Sequence, residues 1–324
     1  MLGFRVVKQG LFSTFQDFGR LGYQDQGMPI SGAMDQESMI IANKLVGKKD
    51  DAVLEMTFTG DTIEFLKPMS IAITGANMTP LLNNKPISMY RTITVKQGDT
   101  LSFNGLKTGF RSYVAFSDEI VLEKLFDSKS TYTKIESGGY KGRQLKNGDC
   151  IEVEERPFNS FYNTVKPQRE DVIRVILSYE FDHFKNTDIL FSTPYSVCNE
   201  LDRMGVRLEG NVLEHKISAD IISSPIIPGA IQIPKSGKPM IMLRDAQTIG
   251  GYTRIGAVIS CDLDKLAQKK PGDTIIFRHV TLEEATKIKK EWLRQIDDLN
   301  ILDDRKTYQV KVNGISYDVI VEEL

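Results

Sequence analysis

Residues 232–273 have the sequence QIPKSGKPMIMLRDAQTIGGYTRIGAVISCDLDKLAQKKPGD. Within this stretch four apolar residues in a row, Met240–Leu243, predict a strand that is buried on both faces, because an alternating pattern would leave one face in water. Polar side chains, among them Arg244 and Asp245, follow directly where the apolar run ends. The stretch therefore predicts a buried β-strand that places charged groups at one end of a sheet.

Two glycines, Gly250 and Gly251, and then Tyr252 come after those polar residues. Glycine has no side chain to keep a ligand away and can adopt positive φ angles, so the pair suggests backbone that approaches a ligand closely. A tight hairpin with a buried ion pair at its mouth explains the same pattern, since Gly-Gly is also a turn signal. The pattern alone leaves both interpretations open.

The composition indicates a soluble globular protein of two domains. The 324 residues are 41% hydrophobic and 26% charged, with a formal net charge of −2, and a chain of this length can bury two ordinary cores. No basic stripe favours a nucleic-acid partner. No apolar run reaches the roughly 18 residues that a membrane span needs.

The start of the chain and its cysteines favour a cytoplasmic location. The opening residues MLGFRVVKQG lack the long apolar core of a signal peptide. The cysteines, Cys150, Cys198 and Cys261, are far apart and outside any CxxC motif, which is typical of reduced thiols. The three histidines show no ligand spacing either, so no metal site is expected.

The first fifty residues predict two strands, a polar loop and a helix. Residues 4–7 and the alternating segment 10–20 are strand candidates, and a glycine-rich polar loop continues to residue 32. Such a loop is either a flexible surface excursion, which the residues alone favour, or a binding loop. Asp35 is a plausible N-cap of a helix that Gly47 closes, and such a helix N-terminus can hold an anion.

Residues 53–155 predict a series of short strands with turns about every ten residues, which is typical of a sandwich or barrel. The segments VKQGDTLSF (95–103) and LKNGDCIEV (145–153) are self-similar, and PGDTIIF (271–277) is a third copy. This repetition suggests related barrel elements in both halves of the chain.

The segment 156–170 carries two prolines and no hydrophobic period, so it is the best candidate domain boundary. Beyond it, Arg203 and Arg207 flank a glycine and could clamp a carboxylate or phosphate; an internal salt-bridge network would use the same residues. An amphipathic helix follows residue 279, with Leu282 and Trp292 on its apolar stripe. Asn313-Gly314 then predicts a terminal hairpin.

These motifs together resemble one family. The resemblance runs from about residue 5 to residue 290, and its carriers are GLFSTFQDFGRLGYQDQGMPISGAMD (10–35), ANKLVG (42–47), LEMTFTG (54–60), ELDRMGVRLEG (200–210), PGAIQIPKSGKPMIML (228–243), DAQTIGGYTRIGAVISCDL (245–263) and AQKKPGD (267–273). The chain resembles the carboxyltransferase-related family that includes the C-type subunits of 5-oxoprolinase, the KipA proteins, the second subunit of allophanate-hydrolase-type complexes and the carboxyltransferase half of urea carboxylase.

The resemblance implies a mainly β fold of two cyclophilin-like β-barrel domains with a few helices. The implied domains are 1–165 and 166–290, followed by 291–324 as a helix end and a hairpin tail. The chain departs from the family's pattern at residues 113–119 and 127–131, so the pocket wall around residues 115–140 is expected to differ, which leaves the exact substrate open. The tail is similar to the opening strands of biotin-carrier domains, but no Met-Lys-Met site follows, so bound biotin is not expected.

The resemblance also implies a function. It implies the C-type component of an ATP-dependent 5-oxoprolinase, inactive alone, that acts with a B-type (KipI-like) subunit and an A-type subunit to open 5-oxoproline to glutamate. ATP, with Mg²⁺, would be held by the complex. Two alternatives stay open: a regulatory KipA-type protein that binds a KipI-type kinase inhibitor, and a carboxyltransferase subunit of a biotin-dependent urea or amide carboxylase.

The site residues are expected from motif position and chemistry. Charge that develops on a lactam oxygen needs cationic or N–H groups aimed at it, and proton transfer needs a positioned acid or base. The candidate catalytic residues are Asp245, Arg203 and Asp35. The candidate substrate-binding residues are Arg207, Gln232, Gly250, Gly251, Tyr252, Gln16, Asp17 and Ser31.

Overall fold

The computed structural model describes residues 1–299, 301–303, 306–312 and 315–321. Its first half is built from two packed sheets and one helix, α1 (Gln36–Leu45). The strands of this half are β1 (Leu2–Lys8), β2 (Phe12–Gln16), β3 (Val53–Thr57), β4 (Thr62–Phe65), β5 (Met69–Asn77), β6 (Pro80–Leu82), β7 (Lys85–Pro86), β8 (Thr92–Val95), β9 (Thr100–Phe103), β10 (Thr108–Phe116), β11 (Glu119–Ile120) and β12 (Cys150–Glu154).

The strands of the first half form a seven-stranded sheet in the order β11-β12-β1-β4-β9-β6-β7 and a five-stranded sheet in the order β2-β3-β10-β5-β8. One core lies between the sheets and contains Phe4, Phe15 and Phe116. A second core lies between the five-stranded sheet and α1. Because both its faces are covered, β3 is buried along its whole length.

The segment after residue 155 carries β13 (Tyr162–Asn163), and the second half follows it. The elements of the second half are β14 (Ile173–Leu177), α2 (Ile189–Ser192), β15 (Tyr195–Leu201), β16 (Gly205–Glu209), β17 (Asp220–Pro225), β18 (Ala230–Gln232), β19 (Met240–Met242), β20 (Ile249–Tyr252), β21 (Arg254–Val258), α3 (Leu263–Ala267), β22 (Thr274–Ile275) and β23 (Phe277–His279). Short 3-10 turns occupy Gln24–Gln26, Phe181–His183 and Ser260–Asp262.

Eight strands of the second half form one barrel-like sheet in the order β22-β15-β16-β19-β18-β21-β14-β23. Its inner face encloses a core that contains Val206, Ile231 and Ile241. Strands β17 and β20 pair with each other as a separate two-stranded ribbon. The expectation of a mainly β fold with barrel-like sheets and few helices is confirmed, whereas the domain boundaries at residues 165 and 290 stay predictions.

The chain ends in α4 (Leu282–Asp297), β24 (Leu302–Asp303), β25 (Lys306–Val312) and β26 (Ile315–Val321). The predicted terminal helix and hairpin are confirmed, because β25 and β26 pair antiparallel; the predicted turn residues Asn313 and Gly314 lie outside the described residues. Trp292, which lies on α4, is buried as expected. Leu282 was predicted on the same stripe but is 68% exposed, because the apolar contact of α4 begins one turn later.

The three Gly-Asp copies adopt one conformation. Each glycine has a φ near +85 to +87°, each Asp carboxylate accepts a hydrogen bond from the backbone N–H of the lysine three residues before it, and each glycine N–H donates to a neighbouring strand. The pairs are Lys96–Asp99, Lys146–Asp149 and Lys270–Asp273, at the starts of β9, β12 and β22. The three turns therefore share one conformation, whereas the relation between barrel elements of the two halves stays a prediction.

The two halves are joined through the end of the glycine-rich loop. Residues 31–35 are buried, and Met34 belongs to the core of the second half. The Ser31 N–H donates to the Arg244 carbonyl at 2.8 Å. The interpretation of residues 19–32 as a flexible surface excursion is therefore wrong at its C-terminal end, where the backbone is enclosed by both halves.

Candidate functional site

Arg203 lies in the turn between β15 and β16, beside the residues that follow β19. Its Nε donates to Asp245 Oδ2 at 2.7 Å and its Nη2 donates to Asp245 Oδ1 at 3.1 Å. The Asp245 N–H in turn donates to the Arg203 carbonyl at 2.9 Å. The predicted buried ion pair at the end of the apolar strand is therefore present, as a two-point contact that fixes both side chains.

The remaining donors of Arg203 reach into the first half. Its Nη1 donates to Glu55 on β3, and its Nη2 donates to the Gly32 carbonyl at 2.7 Å and to Gln16 Oε1 at 3.3 Å. Arg203 thus connects strands β2 and β3 and the 31–35 segment to Asp245 of the second half. This guanidinium is therefore a fixed positive charge at the junction, by which we mean the buried region around Arg203 where the two halves meet.

The electrostatic setting keeps Arg203 charged. Burial by itself lowers the pKa of Arg203, but the charges of Asp245 and Glu55 outweigh burial and hold the pKa above its ordinary value. Three further guanidinium groups, those of Arg20, Arg111 and Arg244, are also buried, and burial lowers the pKa of each. The junction therefore concentrates four buried guanidinium groups among the carboxylates of Glu55, Asp245, Asp17 and Asp264.

Arg207 does not join Arg203. It lies on β16 between Val206 and Leu208, which face the core, so strand alternation turns the Arg207 side chain outward. Its side chain is 54% exposed and pairs with Glu200. The predicted clamp of two arginines is thus not formed, and the alternative of an internal ion network holds for Arg203.

A cleft of about 360 Å³ opens beside Arg203 and Asp245, between the two halves. Its apolar walls come from Leu11, Phe12 and Phe110 of the first half and from Leu201 and Met204 of the second. Its polar lining includes Arg111, Tyr132 and Lys134. A cleft of this volume, with apolar walls and several polar lining groups, is typical of small-molecule sites.

Two side chains that line the cleft, those of Arg111 and Tyr132, carry polar groups relevant to ligand binding. Arg111 Nη1 donates to the Ala267 carbonyl at 2.7 Å, whereas its Nε has no hydrogen-bond partner among the described residues. Burial and the charge of Asp245 raise the pKa of Tyr132, which keeps its hydroxyl protonated and able to donate. The cleft therefore has a positive charge at Arg111, whose Nε is itself buried, and a hydroxyl donor at Tyr132.

Asp35 lies elsewhere and has a structural role. It is the N-cap of α1, where its carboxylate accepts from the Ser38 N–H at 2.9 Å and from Gln268 Nε2 at 2.7 Å. Burial raises the pKa of Asp35, and burial together with the charge of Asp35 raises the pKa of Asp264. Asp264 accepts from the Gln36 N–H at 2.9 Å, so carboxylates already occupy the helix N-terminus that could have held an anion.

Asp35 also lines a different cleft from Arg203. That second cleft, of about 320 Å³, lies between α1, α3 and α4 and is lined by Asp264, Gln268 and Lys265. The structure thus separates the predicted catalytic set, with Arg203 and Asp245 at one cleft and Asp35 at the other.

The predicted residues of the facing loop are split in the same way. Gln16 is buried and contacts Arg203, so it belongs to the junction. Asp17 accepts from the Gly19 N–H at 2.8 Å, from Ser128 Oγ at 2.7 Å and from the Lys129 N–H at 2.6 Å, so its carboxylate fixes the 128–130 segment. The 128–130 segment is therefore anchored by Asp17 and leads directly to Tyr132.

Ser31 is fully buried beside Arg244, and its hydroxyl has no partner among the described residues. Gln232 is also buried, on the outer face of the barrel-like sheet, next to Gly250. Gly250 and Gly251 lie inside β20 without positive φ, so neither a tight hairpin nor a special backbone angle explains them. Gly250 instead allows close approach of Gln232 and Ile226, and Tyr252 is partly exposed on the same strand.

Sequence analysis missed Glu55, Arg111 and Tyr132. A signal existed for Glu55, because it is a charged residue inside the otherwise apolar strand segment VLEMT. Arg111 and Tyr132 had no local signal, since their position at the cleft depends on pairing between distant strands. Within the part of the chain that the structure describes, no group of three or more His, Cys, Asp or Glu side chains could hold a metal ion, and no helix is long and apolar enough to cross a membrane.

Comparison with known proteins gives a consistent result. The family model "Carboxyltransferase domain, subdomain A and B" matches residues 26–279. The chain is 32% identical to the C-type subunit of 5-oxoprolinase from Escherichia coli over 300 residues, which is 91% of this chain and 97% of that protein. It is 33% identical to the C-type subunit of 5-oxoprolinase from Haemophilus influenzae, over 91% of this chain and 96% of that protein.

The fold of the chain is also that of a solved relative. The structure of Kluyveromyces lactis urea carboxylase matches with a TM-score of 0.85 at 26% identity, over 99% of this chain. This chain spans only 32% of that enzyme. From the family model, the sequence identities and the shared fold, the chain belongs to the carboxyltransferase-domain family that contains the C-type subunits of 5-oxoprolinase and relatives of urea carboxylase.

Proposed function

We propose that the chain is the C-type subunit of an ATP-dependent 5-oxoprolinase that opens 5-oxoproline to glutamate. The observation that carries this proposal is the identity of 32–33% to two C-type subunits of 5-oxoprolinase over nearly their whole length. Its partners are a B-type (KipI-like) subunit and an A-type subunit, and the chain alone is inactive. ATP, with Mg²⁺, is held by the assembled complex in the cytoplasm, and biotin is not bound.

The chemistry explains the need for ATP. A lactam is stabilised by resonance and resists water. On this scheme the lactam oxygen attacks the γ-phosphorus of ATP and ADP leaves. One water then adds to the activated acyl carbon and the C–N bond breaks, which leaves a γ-glutamyl phosphate. A second water hydrolyses this acyl phosphate and releases inorganic phosphate. Glutamate, ADP and phosphate are the products, which balances the atoms of 5-oxoproline, ATP and two waters.

The cleft beside Arg203 is the proposed place of the substrate on this chain. The apolar walls formed by Phe12 and Phe110 suit the ring methylenes, and the positive charge of Arg111 attracts the carboxylate. Tyr132 can donate to the lactam oxygen, where negative charge develops. Arg203 and Asp245 act as positioning residues here, because their mutual bonds hold the cleft wall in place.

The test is ATP-dependent release of glutamate from 5-oxoproline. The chain is mixed with its co-encoded B-type and A-type partners, and each protein is then omitted in turn. Activity is expected only in the complete mixture. Tyr132→Phe is expected to lower kcat about tenfold or more, whereas Tyr179→Phe, on an 82% exposed tyrosine, is the control and should leave activity unchanged.

A complete, folded mixture without activity would exclude the 5-oxoprolinase proposal. A regulatory KipA-type role, with binding to a KipI-type partner, would then be tested by co-purification and by relief of kinase inhibition.

A second candidate is a carboxyltransferase subunit for urea or a related amide. The match to urea carboxylase over 99% of this chain supports it. This chain spans 32% of that enzyme, so this candidate concerns the carboxyl-transfer step alone. Transfer of labelled carboxylate from carboxybiotin to urea, in the absence of the A-type partner, distinguishes this candidate.

A further inference from the structure

Gln268 of the second half inserts its side chain into a sheet of the first half. It is the C-cap of α3, whose Leu266 and Ala267 are buried in the core of the second half. The Gln268 side chain reaches β10 of the first half at Phe110 and Arg111. A carboxamide offers two acceptor sites and two donors, so it can replace a strand partner for a short stretch of backbone.

Strand β10 has a gap in its ladder at this place. Thr108 is paired with Asn77 and Ser112 with Gly75, so three residues of β10 face a single residue of β5. Such a bulge leaves backbone groups of the longer strand without a ladder partner. The Gln268 side chain supplies the missing partner.

All four hydrogen bonds of the Gln268 carboxamide are made. Its Oε1 accepts from the N–H of Phe110 at 3.0 Å and from the N–H of Arg111 at 3.1 Å. Its Nε2 donates to the Arg111 carbonyl at 2.9 Å and to Asp35 Oδ2 at 2.7 Å. Because every donor and acceptor is used, the side chain has one orientation and fixes the backbone of the bulge.

Two glycines make room for this side chain. Gly75 and Gly109 both have positive φ angles, of +83° and +76°. A Cβ at Gly109 would lie 2.7 Å from Gln268 Oε1, and a Cβ at Gly75 would lie 3.3 Å from Gln268 Nε2. The first half is therefore shaped to receive a side chain of the second half.

The bulge forms part of the wall of the cleft beside Arg203. Phe110 and Arg111 line that cleft, whereas Gln268 lines the second cleft, between α1, α3 and α4. The Arg111 side chain is held from the same direction, because its Nη1 donates to the Ala267 carbonyl at 2.7 Å. The end of α3 thus fixes both the backbone and the guanidinium of Arg111.

We propose that Gln268 is a positioning residue of the cleft beside Arg203, which acts by holding Phe110 and Arg111 in the wall that binds the ligand. The inference rests on the proposed function, in which these two residues contact the ring and the carboxylate of the substrate. It adds that this wall, although it belongs to the first half, is complete only when the second half packs against it.

The first test uses the complete mixture of the chain with its B-type and A-type partners. Gln268→Met keeps the approximate length of the side chain but removes all four hydrogen bonds. We expect KM for 5-oxoproline to rise about tenfold or more while kcat changes less than about threefold, because the lost interaction orients a binding group and not the reacting atoms. A general loss of folded protein would instead lower the apparent kcat.

Gln268→Glu gives a readout that packing alone would not move. The new carboxyl has the same shape, but when ionised it faces Asp35 Oδ2 and the Arg111 carbonyl, to which the amide donates in the wild-type chain. At lower pH a proton shared with Asp35 restores one of these contacts. The charged groups that line the second cleft around residue 268 are Asp35, Glu37, Lys166, Arg169, Asp171, Asp264, Lys265, Lys269 and Asp273.

The carboxyl of Asp35 raises the pKa of a carboxyl placed beside it, because two like charges disfavour ionisation. The ratio of the KM of Gln268→Glu to that of the wild type should therefore increase between about pH 5 and about pH 8. Ser38→Ala is the matched control. The Ser38 hydroxyl donates to the same Asp35 Oδ2 at 2.7 Å, but among the described residues it has no hydrogen bond to Phe110 or Arg111, so KM should stay unchanged.

A second measurement does not depend on activity. Amide hydrogen exchange of the full chain alone is followed at Phe110 and Arg111, whose N–H groups donate to Gln268. Exchange at these two amides should be about tenfold or more faster in Gln268→Met than in the wild type. Exchange at Val114, in the regular part of β10, should be unchanged.

Unchanged exchange at Phe110 and Arg111 would overturn the inference, and so would an unchanged KM of Gln268→Met in an active mixture. A KM ratio for Gln268→Glu that does not vary with pH would mean that shape alone matters, which also contradicts it. An inactive wild-type mixture would count against the proposed function, whereas hydrogen exchange would still decide whether Gln268 holds the wall of the cleft.

Discussion

Replacing Arg203 with methionine should destabilise the protein more than other single changes at the junction. The side chains of Arg203, Glu55 and Asp245 are only 7%, 1% and 6% exposed. Without the guanidinium, two buried carboxylates lose their counter-charge, and the Gly32 carbonyl loses a 2.7 Å hydrogen bond. Breaking a buried ion pair by removing one partner costs about 3–5 kcal/mol, and we expect Arg203→Met to lie in this range.

The assay is urea denaturation, followed both by circular dichroism and by the fluorescence of Trp292. The matched control is Arg207→Met, because the Arg207–Glu200 pair is 54% and 71% exposed and such pairs contribute roughly 0–1 kcal/mol. The triple variant Arg203→Met, Glu55→Gln, Asp245→Asn should recover most of the loss, since neutral replacement of a whole buried pair is often nearly free of cost.

The role of Arg203 as an ion-pair link between the halves would be refuted if Arg203→Met lowered the free energy of unfolding by less than about 1 kcal/mol, or by no more than Arg207→Met does. Failure of the triple variant to recover stability would show that packing, and not the uncompensated charge, is what Arg203 supplies.

Three further predictions concern stability. Gly32→Ala should lower the free energy of unfolding by about 2 kcal/mol or more, because Gly32 has a φ of +86° and the new Cβ would lie 2.8 Å from backbone atoms. Gly22→Ala is the control in thermal melting. Gly22 has a φ of +92° but open space around it, so this change should lower the free energy of unfolding by about 1 kcal/mol. Burial raises the pKa of Asp61 to about 6, above roughly 3.9 in the unfolded chain, so the unfolding free energy should fall by about 3 kcal/mol as pH rises from about 4 to about 6. Asp61→Asn should flatten that slope in urea titrations at several pH values, and an unchanged slope would contradict the assignment. Thr281→Ala removes the capping box of α4 and should cost about 1 kcal/mol, with Thr286→Ala on the same helix as the comparison.

Local patterns predicted the elements well, because each depends on neighbours in sequence. The N-cap at Asp35, the buried run that became β19 and the repeated Gly-Asp turns follow from side-chain chemistry within a few residues. Gly250 and Gly251 show the limit, since their spacing fits a turn and yet they lie within a strand whose close neighbour is Gln232.

The candidate site was predicted only in part for the same reason. The pairing of Arg203 with Asp245 could be anticipated from the end of a buried strand, but Glu55 and Tyr132 reach the junction through strand pairings that no local pattern records. Asp35 and Arg207 were assigned to the site by motif position. In the structure Asp35 instead caps α1, and side-chain alternation along β16 turns Arg207 outward.

The junction has a consequence for synthesis on the ribosome. Glu55 and Arg203 are 148 residues apart, and at about 5–20 residues per second the second is added roughly 7–30 s after the first. During that interval the first half can form its sheets, but the Glu55 carboxylate lacks its ion-pair partner. Arg111 also lacks a partner, because the Ala267 carbonyl that accepts its hydrogen bond is 156 residues downstream. The first half therefore lacks the partners of both charged groups during this interval, and the full set of contacts is complete only after α3, which contains Ala267, has been synthesised.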